Sequence, residues 1–186
     1  MQKPPISIEE PSRISDLNNL GILDTDSEEN FDLLTRLTAR IFNVPISLIS
    51  LVDSERQWFK SKHGLDQEET SRDVSFCAHA IAKSISEGSA QYIFEVPDAL
   101  QDVRFRDNPL VVGEPFIRFY AGFVLLSHDN YKLGTLYIID NKPRILSSFE
   151  KESFFNLGMI AQAKLQSFRP KDKSTQTRNY ICTRED

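Results

Sequence analysis

Ile46-Ser47-Leu48-Ile49-Ser50-Leu51-Val52-Asp53, followed after Ser54-Glu55 by Gln57-Trp58-Phe59-Lys60-Ser61-Lys62-His63, decides the fold. Pro45 opens the first run, and both of its alternating faces are largely apolar, the mark of a central strand covered on two sides. Asp53-Ser54-Glu55 reads as a turn and the second run as the returning strand. So short a link requires antiparallel pairing, because a parallel partner needs a long crossover.

Working outward, Thr25-Asp26-Ser27-Glu28 fits a capping box ahead of a helix over roughly 27–43. Its apolar face is read as Phe31, Leu34, Leu37 or Thr38, and Ile41. An earlier short helix carries Ile14, Leu17 and Leu20 and stops at Gly21. Downstream, Gly64 to Thr70 reads as an acidic loop. Ser71-Arg72-Asp73-Val74-Ser75-Phe76-Cys77-Ala78-His79-Ala80-Ile81 then turns into a helix, with Asp73 or Ser75 as its cap and Val74, Cys77, Ile81 and Ile85 as its apolar stripe. Tyr92 to Val96 is a strand. Residues 97–115 form a long connection of the kind that serves as a lid or binding loop. Phe116 to Leu126 and Leu133 to Asp140 are two further strands. Ser147 and Glu150 make a second capping box, and Phe154, Leu157, Ala161, Leu165 and Phe168 continue the last helix. Strands joined mainly by hairpins, with helices against them, define an α+β domain around a largely antiparallel sheet.

The chain has 186 residues, enough for one domain with tails: a flexible 1–12, a domain over 13–168, and a polar tail over 169–186. Its net charge of −5 argues against nucleic acid or an anionic membrane as partner. No apolar run approaches the roughly 20 residues that span a bilayer. The N-terminus has no apolar signal core, so a cytoplasmic home is the expectation. Cys77 and Cys182 are read as two reduced thiols.

Gly21-Ile22-Leu23-Asp24-Thr25, Val44-Pro45-Ile46, Ser50-Leu51-Val52-Asp53, Gln57-Trp58-Phe59-Lys60 and Ser75-Phe76-Cys77-Ala78-His79-Ala80-Ile81 occur in order. Asp98-Ala99, Arg104-Phe105, Asp107-Asn108-Pro109, Phe119-Tyr120-Ala121-Gly122 and Leu133-Gly134-Thr135-Leu136 follow them. This set closely resembles the GAF domain, in the bacterial subgroup found beside sensor histidine kinases and diguanylate cyclases. The resemblance implies a fold related to PAS: a central six-stranded antiparallel sheet with helices packed on one side and a loop-roofed small-molecule pocket on the other. Members of the family typically sense or dimerise rather than catalyse. Tyr137 departs from the pattern, standing where the family commonly has cysteine, and a phenol there reduces or reshapes the pocket.

Two residues apart on a helix, Cys77 and His79 point about 200° away from each other, so they neither share a metal nor form a thiolate–imidazole pair. Cys77 is read as a buried structural thiol, with His79 on the opposite face beside Phe76. Arg118 and Tyr120 share the strand face that Gly122 leaves open. With Arg104 and Asn108 they offer donors to a ligand, against the plainer reading that the arginines pair with Asp98, Asp102 or Asp107 to pin the loop. The candidate pocket set is therefore Trp58, Phe76, Cys77, His79, Arg104, Asn108, Arg118, Tyr120 and Tyr137, with no catalytic residue and no metal.

The expectation is a non-enzymatic sensory or regulatory module in signal transduction, with a small-molecule ligand of unknown identity and no required cofactor. A homodimer through the terminal helices and a signalling output protein are its expected partners. Three rivals come from the resemblance. A redox enzyme of the free methionine sulfoxide reductase type would use Cys77. A bilin-binding domain would need adjacent Cys-His where this chain has Cys-x-His. A cyclic-nucleotide-binding domain would need an acidic pair where Ser153-Phe154 stand after Asn141-Lys142 and Phe149. A structural dimerisation domain, its pocket filled by Tyr137, is the last alternative.

Overall fold

The computed structural model describes residues 1–83 and 92–169. In chain order the elements are α1 (Glu10–Leu20), α2 (Glu29–Phe42), β1 (Ile46–Val52), β2 (Arg56–His63), β3 (Glu69–Ser71), a 3-10 turn (Arg72–Val74) and α3 (Phe76–Ala82). β4 (Ile93–Val96), α4 (Pro109–Val112), β5 (Phe119–Leu126), β6 (Lys132–Asp140) and α5 (Ser148–Gln166) follow. The strands form one six-stranded sheet ordered β3-β2-β1-β6-β5-β4, every pair antiparallel. The hairpin read at 46–63 thus lies at the centre, and β1 is buried along its whole length. The sixth strand is β3, inside the stretch expected to be a loop; three residues are too few for a period-2 signal.

Two apolar layers sandwich the sheet. On one side Leu17, Phe31, Leu34, Phe42, Phe154, Leu157 and Leu165 pack with Ile49, Leu51, Phe123 and Leu136. On the other, Phe76, Cys77, Ile81, Phe105 and Val111 pack with Leu48, Phe59, Tyr120, Tyr137 and Ile139. Register decides which side a residue joins. Opposite β1 the pairing jumps from Ile49↔Ser61 to Ser50↔Phe59, leaving Lys60 as the extra residue of a β-bulge. Lys60 therefore turns to the helix side, where Nζ reaches Glu28 at 3.1 Å, Thr25 Oγ1 at 2.9 Å and the Asp26 carbonyl at 2.7 Å.

That lysine accounts for one correction. The box expected at Thr25/Glu28 does not form: Thr25 Oγ1 donates to the Ile22 carbonyl and accepts from Lys60, and α2 starts without a side-chain cap. The second box does form, with Ser147 and Glu150 exchanging both bonds. On α2 the stripe runs through Thr38 and Phe42, leaving Leu37 and Ile41 exposed. α5 packs on α2, with Phe42 edge-on to Phe154 at 5.4 Å, and α1 packs chiefly on β6. The segment expected to be flexible is placed: Pro4 is buried, Gln2 N–H donates to the Arg104 carbonyl, and α1 already begins at Glu10. β5 starts at Phe119, not 116, because Phe116 has φ +56° and cannot continue a strand. Ile85 and the tail with Cys182 lie outside the described residues.

Candidate functional site

The site is built where α3 crosses the central strands on the face opposite α2 and α5. Ser75 supplies the cap that the sequence allowed to either Asp73 or Ser75: its Oγ accepts from Ala78 N–H at 3.0 Å while its hydroxyl donates to Gln57 Oε1. That double role fixes where α3 begins and docks it on β2. One turn in, Cys77 Sγ accepts from Thr135 Oγ1 (2.9 Å), Gln57 Nε2 (3.1 Å) and Ser50 Oγ (3.3 Å), and lies 3.2 Å from the Tyr120 hydroxyl. Gln57 Nε2 also donates to Tyr137 Oη at 3.1 Å. β1, β2 and β5 contribute one polar side chain each to this knot and β6 two, Thr135 and Tyr137, and burying them unpaired would cost about 1–3 kcal/mol apiece.

Burial pushes the Cys77 thiol and both phenols, Tyr120 and Tyr137, above their usual ranges, so all three are neutral near pH 7. A neutral thiol 1% exposed is a poor nucleophile. Iodoacetamide should therefore modify Cys77 only as fast as the domain unfolds. Peptide mass spectrometry along a urea series checks this; full labelling of Cys77 in native buffer would contradict it.

Above the knot remains a cavity of about 80 Å³. Its walls are Ile46, Phe59, Phe76, Leu110, Ile117 and Ile139; Gln57, Cys77, Tyr120 and Tyr137 form its floor; Gln67, Thr70 and Glu114 stand at its mouth. Aromatic rings occupy the neighbouring space. Phe76 stacks on Phe105 at 4.0 Å and on Tyr120 at 5.1 Å, and Tyr120 meets Tyr137 at 5.4 Å. A Cβ on Gly122 would sit 2.3 Å from the Tyr120 hydroxyl. The face that Gly122 leaves open is thus filled by the Tyr120 ring, not by space for a ligand.

Four of the nine candidate residues, Phe76, Cys77, Tyr120 and Tyr137, line the cavity; five do not. Trp58 belongs to the opposite layer, because it is one residue out of phase with Gln57 and Phe59. His79 Nε2 sits 3.1 Å from the Gln2 carbonyl, under the N-terminal segment, and burial lowers its pKa. Arg104 makes a forked pair with Asp102 (2.9 and 2.5 Å) and stacks over Phe94 and Phe105. Its hydrogen bonds hold Asp102 below the usual carboxylate range. Asn108 caps α4 through Leu110 N–H and donates to the Val74 carbonyl. Arg118 donates to the carbonyls of Val111 and Ile117, not to an aspartate. These arginines and Asn108 pin the 97–118 segment. Gln57, Ser50 and Thr135 belong to the site without being among the candidate residues. Their signal was polarity inside otherwise apolar central strands, which demands a buried partner.

No group of histidine, cysteine and carboxylate side chains able to hold a metal occurs among the described residues. No described helix is long and apolar enough to cross a membrane.

No family model matches the chain. It is 38% identical over 190 aligned positions to a cyclic di-GMP phosphodiesterase of Pseudomonas aeruginosa, covering 100% of this chain but spanning only 31% of that protein. The GAF domain of PixJ from Thermosynechococcus elongatus, in its blue-light absorbing form, superposes with a TM-score of 0.56 at 13% identity, over 87% of this chain and 90% of that one. Free methionine-R-sulfoxide reductase from Neisseria meningitidis, in complex with its substrate, gives a TM-score of 0.58 at 14% identity, over 89% and 95%. With its antiparallel six-stranded sheet, its helices on one face and its roofed cavity on the other, this chain has the fold of the GAF domain.

Proposed function

We propose that this chain is a sensory or regulatory module of signal transduction, binding a small ligand between the sheet and the 97–118 segment without catalysing a reaction. The observation that carries this reading is the state of the cavity floor: every reactive group there is neutral, buried and engaged with another protein group. Such a floor positions a ligand but supplies neither nucleophile nor proton relay. The relative's name adds support of another kind. A stretch like this chain makes up about a third of a cyclic di-GMP phosphodiesterase, so a control unit for an enzyme of that sort is a fitting role. Ligand-dependent ordering of α4 and its flanks would bias the output if the ligand prefers one of two roof states. Native mass spectrometry of protein purified from its host tests this. A retained small molecule released on denaturation is expected, and repeated isolation of the bare chain would count against it. The redox alternative has a separate test, since Cys77→Ser should still melt at a higher temperature with ligand than without it, whereas an enzyme working through Cys77 would lose its turnover.

A homodimer is the second proposal. Leu33, Leu37 and Ile41 recur every four residues along α2, each about half exposed, and Met159 and Ile160 are exposed on α5 beside it. Such a stripe is wider than a monomer's helix layer needs and fits a second copy of the chain. Light scattering at tens of micromolar should return a dimeric mass, and Leu37→Glu a folded monomer. A monomeric wild type removes the proposal.

A further inference from the structure

The cavity's size and charge specify more than the presence of a ligand. We infer that it selects a small, neutral, mostly apolar molecule carrying one hydrogen-bond acceptor, and that it rejects anions, nucleotides included; this rests on the ligand-binding reading above. Three observations carry it.

The first is volume. At about 80 Å³ the cavity is roughly half the ~150 Å³ that admits benzene, so about four or five heavy atoms fit without moving a wall. The second is charge. Among the described residues no lysine, arginine or histidine lines it, and the one acidic side chain lining it is Glu114 at the mouth. The nearby cations are committed elsewhere, Arg104 to Asp102 and two rings, Arg118 to backbone carbonyls. An anion entering would lose its hydration, gain no counter-charge and meet a carboxylate on the way. The third is polarity of the floor. Gln57 Oε1 is tied to Ser75, which turns the amide nitrogen toward Tyr137 Oη. That nitrogen spends its hydrogens on Ser50 Oγ (3.0 Å), Cys77 Sγ and Tyr137 Oη, whereas the Tyr137 hydroxyl accepts there and, among the described residues, keeps its own O–H to give, which favours a ligand oxygen that accepts, such as an alcohol or ketone.

The test uses the full chain with isoleucine-methyl NMR, and isobutanol, isobutyrate, isobutyramide and 3′,5′-cyclic GMP as probes. Isobutanol should shift the Ile46, Ile117 and Ile139 methyls saturably, with a Kd on the order of 1 mM, as expected for so few atoms. Isobutyrate, with the same branched carbon skeleton but a carboxylate in place of the hydroxymethyl group, should leave them unmoved at the same concentration, as should the nucleotide, whereas neutral isobutyramide, of isobutyrate's size and shape, should still shift them. Leu110→Phe, on the partly exposed roof, should weaken isobutanol at least tenfold by filling the space. Tyr137→Phe, which keeps the ring, should weaken it about threefold to tenfold. Saturable shifts of the same methyls by isobutyrate or cyclic GMP overturn the inference and leave the sensor reading standing. Absence of shifts with all four probes also overturns it. If native mass spectrometry then finds no retained molecule, the ligand-binding reading falls as well.

Discussion

Gly134→Ala should destabilise the domain by about 3–4 kcal/mol, lowering the urea midpoint by about 1.5 M or more. A Cβ at this position would lie 1.9 Å from the Ser50 carbonyl oxygen and 2.9 Å from Leu51 Cα. Those atoms are backbone of the facing central strand, Gly134 pairing with Leu51 in the β1–β6 ladder. No rotamer change relieves the overlap, so the strands must part. They part at Ser50 and Thr135, whose hydroxyls hold the Cys77 thiol. The variant should therefore also expose Cys77 to alkylation at lower urea. Gly113→Ala is the matched control: its Cβ would meet only the Pro109 carbonyl at 3.0 Å, in a partly exposed turn, and should cost under about 1 kcal/mol. Equal stability of the two variants would show that the strands do not approach so closely.

The architecture was legible because its signals are long or local. The 46–63 hairpin is a long apolar pattern with a short turn, and it fixes the centre of the sheet; the Ser147/Glu150 box is local and reappears intact. Failures occurred where a distant residue intervened. Thr25 has the chemistry of a cap, but Lys60, set on that side by a bulge that leaves no mark in local periodicity, takes its oxygen. Leu37 and Ile41 satisfy a helical period as well as Thr38 and Phe42 do. Hydrophobicity alone cannot choose between two faces when one of them is available to a partner.

The site was less legible, for a related reason. Sequence shows which side chains can donate a hydrogen bond, not which are already spoken for. Arg104, Arg118 and Asn108 have the chemistry of ligand donors, yet the two arginines spend theirs within the roof segment and Asn108 gives its own to the Val74 carbonyl ahead of α3. By alternation Tyr120 and Gly122 share an open strand face. In fact the glycine makes room for the tyrosine two residues away, a self-filling that alternation cannot reveal. The opposite holds for Gln57, whose place in the Gln57-Trp58-Phe59-Lys60 motif gives no sign of a functional role, though it bridges β2, α3 and Tyr137.

Glu10→Gln should cost about 2–3 kcal/mol at pH 7, and the difference from wild type should vanish as the pH falls from 4.5 towards 2. Glu10 sits between two nearly buried guanidinium groups, 2.6 Å from Arg13 Nη2 and 2.5 Å from Arg72 Nη1. Arg13 also donates to the Val52 carbonyl, and Arg72 to the carbonyls of Asp53 and Ser54, so the carboxylate ties α1 to the β1–β2 turn and to the 3-10 turn leading into α3. Burial alone would raise its pKa, but hydrogen bonds from Arg13 and Arg72, with their charges, outweigh it and bring the value from 4.5 to about 2. A folded-state pKa below the unfolded one means stabilisation that is complete above about pH 5 and lost as the carboxylate takes up a proton on the way to pH 2. The full shift would convert to somewhat more than the figure given; partial exposure of the group reduces it. Glutamine keeps the shape without the charge, leaving two arginines facing each other with no anion between them. Urea unfolding at pH 7, 4 and 2.5 should show the two stability curves converging because wild type falls, not because the variant rises. A gap that stays constant across that range would mean that packing of the side chain, rather than its charge, holds α1 to the sheet.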